Sequence, residues 1–273
     1  MKNFIRQILT FLLFGSPKKT IANITYLHPN NQLIGKKIII TGGGRGLGFA
    51  MAKKFKTEGA EVLIAGRDEK QLKKSAEDIG CIYLPIDVQN VASFKTFIEH
   101  ADNLLGGANC LVNNAGISLH EKGILEVSEE QYDAQFDTNL KGAYFLTQCF
   151  IEKYQQYNKQ EVRKILFVSS ETSITVDERP YGLTKAALNS LVQGLAYRFV
   201  KEGYRINAIA PGVTLSDMVG KKDANDLTAG EWRYFLPEEV AEIASFLISD
   251  ASNCLNGQIL ICNEGKTLNA RWK

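Results

Sequence analysis

The chain has 273 residues, 45 % of them hydrophobic and 23 % charged, proportions that suit a soluble globular protein with room for a large core. A formal net charge of +2, with Lys and Arg spread along the chain and no basic block interleaved with aromatics, speaks against a nucleic-acid partner. Five widely spaced cysteines without a C-x-x-C pair, and three scattered histidines, leave little for a disulfide framework or a zinc site, so a reduced, metal-free, cytoplasmic protein is expected.

Residues 1–14 place Phe4, Ile5, Ile8, Leu9 and Leu12 at helical spacing, with Lys2, Asn3, Arg6, Gln7 and Thr10 on the other side. The apolar run from Ile8 to Phe14 is too short for a membrane span, which takes ~20 residues, and no small-residue cleavage site follows it. Two readings stay open: an arm packed on its own body or on a partner subunit, or a helix in peripheral contact with a membrane surface. The arm is set at residues 1–34 and a single domain at 35–273.

From Gly35 onward, short apolar runs alternate with amphipathic stretches. Strands are predicted at 37–41, 61–65, 81–86, 109–113, 164–169, 205–210 and 258–262. Their continuous rather than alternating hydrophobicity suits strands buried on both faces. Helices are predicted at 47–58, 68–79, 93–105, 128–157, 181–200 and from Pro237. This alternation implies an α/β domain with a doubly wound, mostly parallel seven-stranded sheet and helices on both faces. The stretch 213–236, rich in Lys, Asp, Gly and Trp, stands where a substrate lid would sit.

The first strand runs into Thr41-Gly42-Gly43-Gly44-Arg45-Gly46-Leu47-Gly48 and a helix start. Glycines here permit positive φ and close approach of the backbone to a pyrophosphate, and the helix N-terminus offers free N–H groups to that anion. Gly42, Gly44, Arg45, Gly46, Leu47 and Gly48 are the expected cradle of a dinucleotide. The second strand ends on Gly66-Arg67 and so lacks the carboxylate that holds a ribose 2′-hydroxyl; Arg67, helped by Arg45, can instead fork onto a 2′-phosphate. NADP(H) is therefore the expected coenzyme, unless Arg67 pairs with Asp68 at the surface.

Tyr181 and Lys185 lie four residues apart on one helix face. An ammonium beside a phenol favours the phenolate, so the Tyr181 pKa is expected to fall towards a useful acid–base range. Alone, such a pair is more often an exposed helix face.

With these motifs in order, the sequence resembles the short-chain dehydrogenase/reductase family over residues 35–268, and within it the 3-oxoacyl-carrier-protein reductases. Thr41-Gly42-x-x-x-Gly46-x-Gly48 resembles the family's coenzyme turn, Asp87-Val88 its adenine-contacting pair, and Asn113-Asn114-Ala115-Gly116 the segment closing the fourth strand. Asn207-Ala208 and Pro211-Gly212 resemble the segment beside the nicotinamide, with Val213 and Thr214 continuing it. The resemblance implies a Rossmann fold and a catalytic set of Asn139, Ser170, Tyr181 and Lys185. Ser170 would polarise a substrate carbonyl, Tyr181 would donate the proton, Lys185 would bind the nicotinamide ribose and tune Tyr181, and Asn139 would hold a proton-relay water. It also implies a homo-oligomer, dimer or tetramer, built on the helices at 128–157 and 181–200.

The sequence departs from the family in three places. Ser170 and Tyr181 are eleven positions apart, closer than is usual, which leaves Ser169, Thr172 and Ser173 as alternative hydroxyls. Glu171, Asp177, Glu178 and Arg179 charge the cleft edge, and Asn263-Glu264-Gly265 replaces an Asp-Gly-Gly-like turn. The leading expectation is NADPH-dependent reduction of a small-molecule ketone or a 3-oxoacyl thioester. A sugar, polyol or secondary-alcohol dehydrogenase is the alternative within the family, and a non-catalytic NADP-binding protein the alternative outside enzymes.

Overall fold

A computed structural model describes residues 31–155, 162–220, 226–230 and 232–268. The amphipathic pattern of residues 1–14 and the arm up to residue 30 lie outside the described residues, as do Tyr157 and residues 221–225 of the expected lid.

Runs rich in Ile, Val and Leu form the strands, since branched side chains suit a sheet buried on both faces. They are β1 (Lys37–Thr41), β2 (Glu61–Gly66), β3 (Ile82–Pro85), β4 (Cys110–Asn113), β5 (Arg163–Val168) and β6 (Tyr204–Pro211). After a two-stranded antiparallel hairpin, β7 (Thr228–Ala229) with β8 (Trp232–Arg233), comes β9 (Ile259–Cys262). The main sheet has seven strands in the order β3-β2-β1-β4-β5-β6-β9, and every pairing in it is parallel. It is a Rossmann-type doubly wound sheet.

The helices are α1 (Gly46–Thr57), α2 (Glu69–Ile79), α3 (Phe94–Leu105), α4 (Glu129–Phe136), α5 (Gly142–Tyr154), α6 (Pro180–Phe199) and α7 (Pro237–Ile248). Successive strand residues point to opposite faces. Ile38, Ile40, Val62, Ile64, Val112 and Leu166 therefore pack with Met51 and Phe55 of α1, Leu72 of α2 and Val240 and Leu247 of α7. On the other face Ile39, Leu63, Leu111, Ile165 and Phe167 meet Phe97 of α3, Phe150 of α5 and Leu188 and Val192 of α6.

The single helix expected over 128–157 is interrupted. Ser128 opens α4 with a capping box closed by Gln131, and a π-helical turn, Asp137–Lys141, separates α4 from α5. The inserted residue turns the Asn139 side chain inward, where its amide finds the backbone of Ile117. Immediately after it the chain runs against the exit of β3: a Cβ on Gly142 would stand 2.3 Å from the Val88 carbonyl oxygen.

The chain leaves β1 towards β2 and β3 and then returns to β4 on the other side. The C-terminal ends of β1 and β4 thus flank the switch point of the sheet, where a ligand crevice forms in such folds. Among the described residues no helix is long and apolar enough to cross a membrane.

Candidate active site

The turn after β1 is built by close backbone approach. Gly42 (φ 65°) and Gly46 (φ 54°) occupy the left-handed region that other residues rarely adopt. A Cβ on Gly48 would stand 2.2 Å from the Gly42 carbonyl oxygen and 2.6 Å from Asn114 Nδ2. Asn114 Nδ2 donates to the carbonyls of Thr41 (2.9 Å) and Gly42 (3.1 Å), while Thr41 Oγ1 accepts from the amides of Asn114 and Ala115, both at 3.1 Å. The tips of β1 and β4 are thereby laced together.

Residues not picked out from the sequence hold the next corner. Gln71 Nε2 (3.0 Å) and Ser75 Oγ (2.7 Å), one turn apart on α2, both donate to the Gly44 carbonyl. Their i, i+4 spacing on the face that also carries Leu72 is the signal that could have found them.

Helix α1 begins after Arg45 with no side-chain cap and no acidic residue in its first turn. Its first N–H groups and positive dipole end face outward without a carboxylate to satisfy them. Arg45 and Arg67 are exposed, Leu47 is half-buried, and the Gly66 that precedes Arg67 leaves no acid at the tip of β2. Asp68 does not pair with Arg67; its carboxylate caps α2, accepting from the Gln71 amide at 3.0 Å. Such a cradle, a bare helix N-terminus and two exposed guanidinium groups fit the pyrophosphate and a further phosphate of a dinucleotide.

Further along the same edge, Asp87 is exposed and accepts from the Gln89 amide, and Val88 is buried. Ala115 and Gly116 follow Asn114 into the crevice. At the end of β6, Pro211 and Gly212 are buried, Val213 is exposed, and Thr214 Oγ1 donates to the Gly212 carbonyl.

Gly116 is also the meeting point with the catalytic-type residues. A Cβ there would lie 3.3 Å from Asn139 Oδ1 and 3.5 Å from Lys185 Nζ. Asn139 exchanges two hydrogen bonds with Ile117, accepting from its amide (2.8 Å) and donating to its carbonyl (2.9 Å), and also reaches Thr184 Oγ1 (3.2 Å). Both side chains are therefore held in place before any ligand arrives.

Tyr181 and Lys185 share one face of α6, with Lys185 Nζ 5.6 Å from the Tyr181 ring centroid and 2.8 Å from the Val168 carbonyl oxygen. Burial pulls the Lys185 pKa down to about 8. The Tyr181 pKa is raised, not lowered as the spacing suggested: burial of the phenol outweighs the hydrogen bond with Ser170 that works the other way.

The hydroxyls near Ser170 have separate tasks. Ser169 Oγ donates to Asn189 Oδ1 (2.8 Å), and Ser173 Oγ donates to the Ser170 carbonyl (2.6 Å) while accepting from Asn189 Nδ2 (2.8 Å). Thr172 Oγ1 donates to Ser170 Oγ at 3.1 Å. Ser170 is thus the hydroxyl that acts on the Tyr181 phenol, with Ser169 and Ser173 committed to fixing the loop. The charged cleft edge expected from Glu171 is not solvated: that side chain is buried against Lys266 and Asn263.

Residues 42–267 match a family model described as enoyl-(acyl carrier protein) reductase. The chain is 30 % identical, over 86 % of its length and 98 % of the relative, to the 3-oxoacyl-[acyl-carrier-protein] reductase FabG of Aquifex aeolicus. It is likewise 30 % identical, over 86 % of its length and 99 % of the relative, to the L-2,3-butanediol dehydrogenase of Corynebacterium glutamicum. Among solved structures, the 3-ketoacyl-(acyl-carrier-protein) reductase of Brucella melitensis complexed with NADH superposes with a TM-score of 0.78 at 27 % identity, covering 86 % of this chain and 99 % of that one.

Proposed function

The chain belongs to the short-chain dehydrogenase/reductase family of oxidoreductases, and from that premise we propose that it is an NADP(H)-dependent enzyme that reduces a carbonyl, of a small ketone or a 3-oxoacyl thioester, to a secondary alcohol. The observation that carries this reading is the convergence at Gly116. Asn139 and Lys185 meet there, two residues past the asparagine that laces the glycine turn, and Lys185 Nζ lies 5.6 Å from the ring centroid of Tyr181, on whose phenol the Ser170 hydroxyl acts.

NADPH, when bound, supplies the hydride. The cradle from Gly42 to Gly48 and the N-terminus of α1 would hold its pyrophosphate, Arg67 and Arg45 its 2′-phosphate, Asp87 and Val88 its adenine. Asn114, Ala115, Gly116, Pro211, Gly212, Val213 and Thr214 would line its nicotinamide half. The preference for the phosphorylated coenzyme rests on Arg67 standing exposed beside Gly66 while Asp68 is taken up as a helix cap.

Ser170 and Tyr181 then act on the substrate oxygen. Ser170 donates a hydrogen bond to the carbonyl, and Tyr181 gives its phenolic proton to that oxygen as negative charge develops on it. Burial holds the phenol protonated at neutral pH but makes it the weaker acid, so donation depends on the Lys185 charge to stabilise the phenolate that remains. Lys185, with one of its three N–H donors on Val168, directs its charge towards the ribose hydroxyls and stabilises the phenolate that remains. Asn139 steadies the water through which Tyr181 is reprotonated.

A purified sample should oxidise NADPH with members of a β-ketoacyl ester and diketone panel. Tyr181→Phe should lower kcat by about 10²–10⁴-fold while coenzyme binding survives; an undiminished rate in that variant rules out the assignment. A second reading, oxidation of a polyol or other secondary alcohol, is favoured by the exposed Glu178 and the neighbouring Asp177–Arg179 ion pair beside the serine loop. Comparing NADP-driven oxidation with NADPH-driven reduction separates the two.

We place the protein in the cytoplasm as a homo-oligomer. Tyr132, Tyr144, Leu183 and Tyr197, exposed on α4, α5 and α6, support a subunit contact made by these helices.

A further inference from the structure

Two departures from the family pattern meet in space. Glu171 heads the shortened loop directly after Ser170, and Asn263, Glu264 and Lys266 make the turn that follows β9. Glu171 is 6 % exposed, and a carboxylate that deep needs charged or polar partners. They come from 95 and 92 residues away: Lys266 Nζ donates to Oε1 at 2.7 Å and Asn263 Nδ2 to Oε2 at 3.1 Å. Asn263 is itself buried and fixes its own turn, accepting from the Gly265 amide (3.1 Å) and donating to Thr267 Oγ1 (3.0 Å).

The same turn reaches β8 on its other side. Glu264 accepts from Arg233 Nε at 2.6 Å, and the two terminal nitrogens of Arg233 fork onto Glu239, each at 2.8 Å. The guanidinium lies 4.4 Å from the Phe235 ring centroid, and that ring fills the space of a Cβ on Gly212, to which it would come within 2.6 Å. An unbroken set of contacts therefore runs from the loop behind Ser170, through the C-terminal turn, to the end of β6.

The local bonds on Ser170 are few and come from its own neighbours, Thr172 and Ser173. A hydroxyl that must meet a carbonyl oxygen within a fraction of an ångström needs a firmer support, because small misplacements cost large factors in rate. We propose that Glu171 and Lys266 are positioning residues: their ion pair clamps the serine loop to the C-terminal turn and so fixes Ser170 against Tyr181. The turn passes the same constraint to β8 through Glu264 and Arg233. This inference rests on Ser170 being the carbonyl-binding hydroxyl.

The test uses the full chain with Lys266→Met, Lys266→Arg, Glu171→Gln and the double variant Glu171→Gln/Lys266→Met. Two readouts are taken: steady-state kinetics with NADPH and a ketone that the wild type reduces, and hydrogen–deuterium exchange of the free protein. Lys266→Met should lower kcat about tenfold with KM for NADPH within about twofold, and should speed exchange over residues 169–175 but not over the glycine turn. Lys266→Arg should restore both, and the double variant should be no worse than the poorer single one, as for two groups acting as a unit. Unchanged exchange over 169–175 in Lys266→Met overturns the proposal whatever the activity. An unchanged kcat in that variant, in an enzyme that Tyr181→Phe silences, overturns it too and leaves the proposed function standing. Turnover that survives Tyr181→Phe removes the function and this inference together.

Discussion

On the glycine-turn side of the cleft, the contacts are backbone against backbone, or backbone against a short side chain: Gly48 under the Gly42 carbonyl, Asn114 on Thr41 and Gly42, Ser75 on Gly44. On the side of Ser170 and β8, the contacts are long charged side chains meeting across the chain, as in Glu171–Lys266 and Arg233–Glu264. The first kind leaves no room for variation, since a single added methyl group collides with main chain. The second kind can be re-paired or lengthened without disturbing the sheet. A fold that keeps its coenzyme and changes its substrate would be constructed in this way.

Three measurements probe that contrast. The largest effect is expected at Gly48: Gly48→Ala puts a Cβ where main chain stands and should abolish NADPH binding by calorimetry, with or without loss of fold. Tight binding by that variant would show the turn to be far more pliable than the contacts imply.

The second concerns Lys185, which sits where the two sides join. Its pKa is about 8 in the folded protein against 10.5 as an ordinary lysine. Below pH 8 both folded and unfolded forms carry the charge, and the folded form bears the whole cost of burying it. Between about 8 and 10.5 the folded form releases its proton first, so stability rises with pH and the cost is gone above that window. In the coenzyme-free protein, the stability of Lys185→Met relative to the wild type should therefore be highest at pH 7 and should fall by roughly 3 kcal/mol towards pH 10.5, whatever the constant cost of losing the bond to Val168. Parallel melting curves at all pH values would show that the buried ammonium carries no desolvation cost.

The smallest effect is at the exposed rim of the turn. Arg67→Ala removes one charge-assisted fork and should weaken binding of NADPH relative to NADH by roughly 10–100-fold. An unaltered ratio in paired titrations would move the phosphate contact elsewhere.

The same contrast explains what could be read from the sequence. The strands declare themselves because Ile38-Ile39-Ile40 or Val62 to Ala65 are apolar without interruption, and the observed bounds differ by a residue or so at each end. Glycines 42, 46 and 48 were legible because each answers a local backbone demand, whereas Asn114, whose partners lie 73 and 72 residues away, was legible only through the family resemblance. Glu171 and Glu264 were not: their partners lie 95 and 31 residues away, so a buried, paired acid looks in sequence like a charged surface. The rise in the Tyr181 pKa was equally hidden, since spacing shows the ammonium but not the depth at which the phenol sits. Nor did periodicity mark the break in the helix over 128–157, because one inserted residue leaves the apolar pattern on either side intact.

That insertion sets a rule about length. Residues Asp137–Lys141 carry one unit more than an ordinary turn. Removing any one of them would let α4 and α5 fuse into a continuous rod and swing everything beyond by about 100°. Leu146, Phe150 and Tyr154 would then leave the sheet, or Asn139 would leave Ile117; the chain could not keep both. This short stretch can exchange side chains, but a one-codon deletion there would disconnect the anchoring face of a helix from the amide it presents to the crevice.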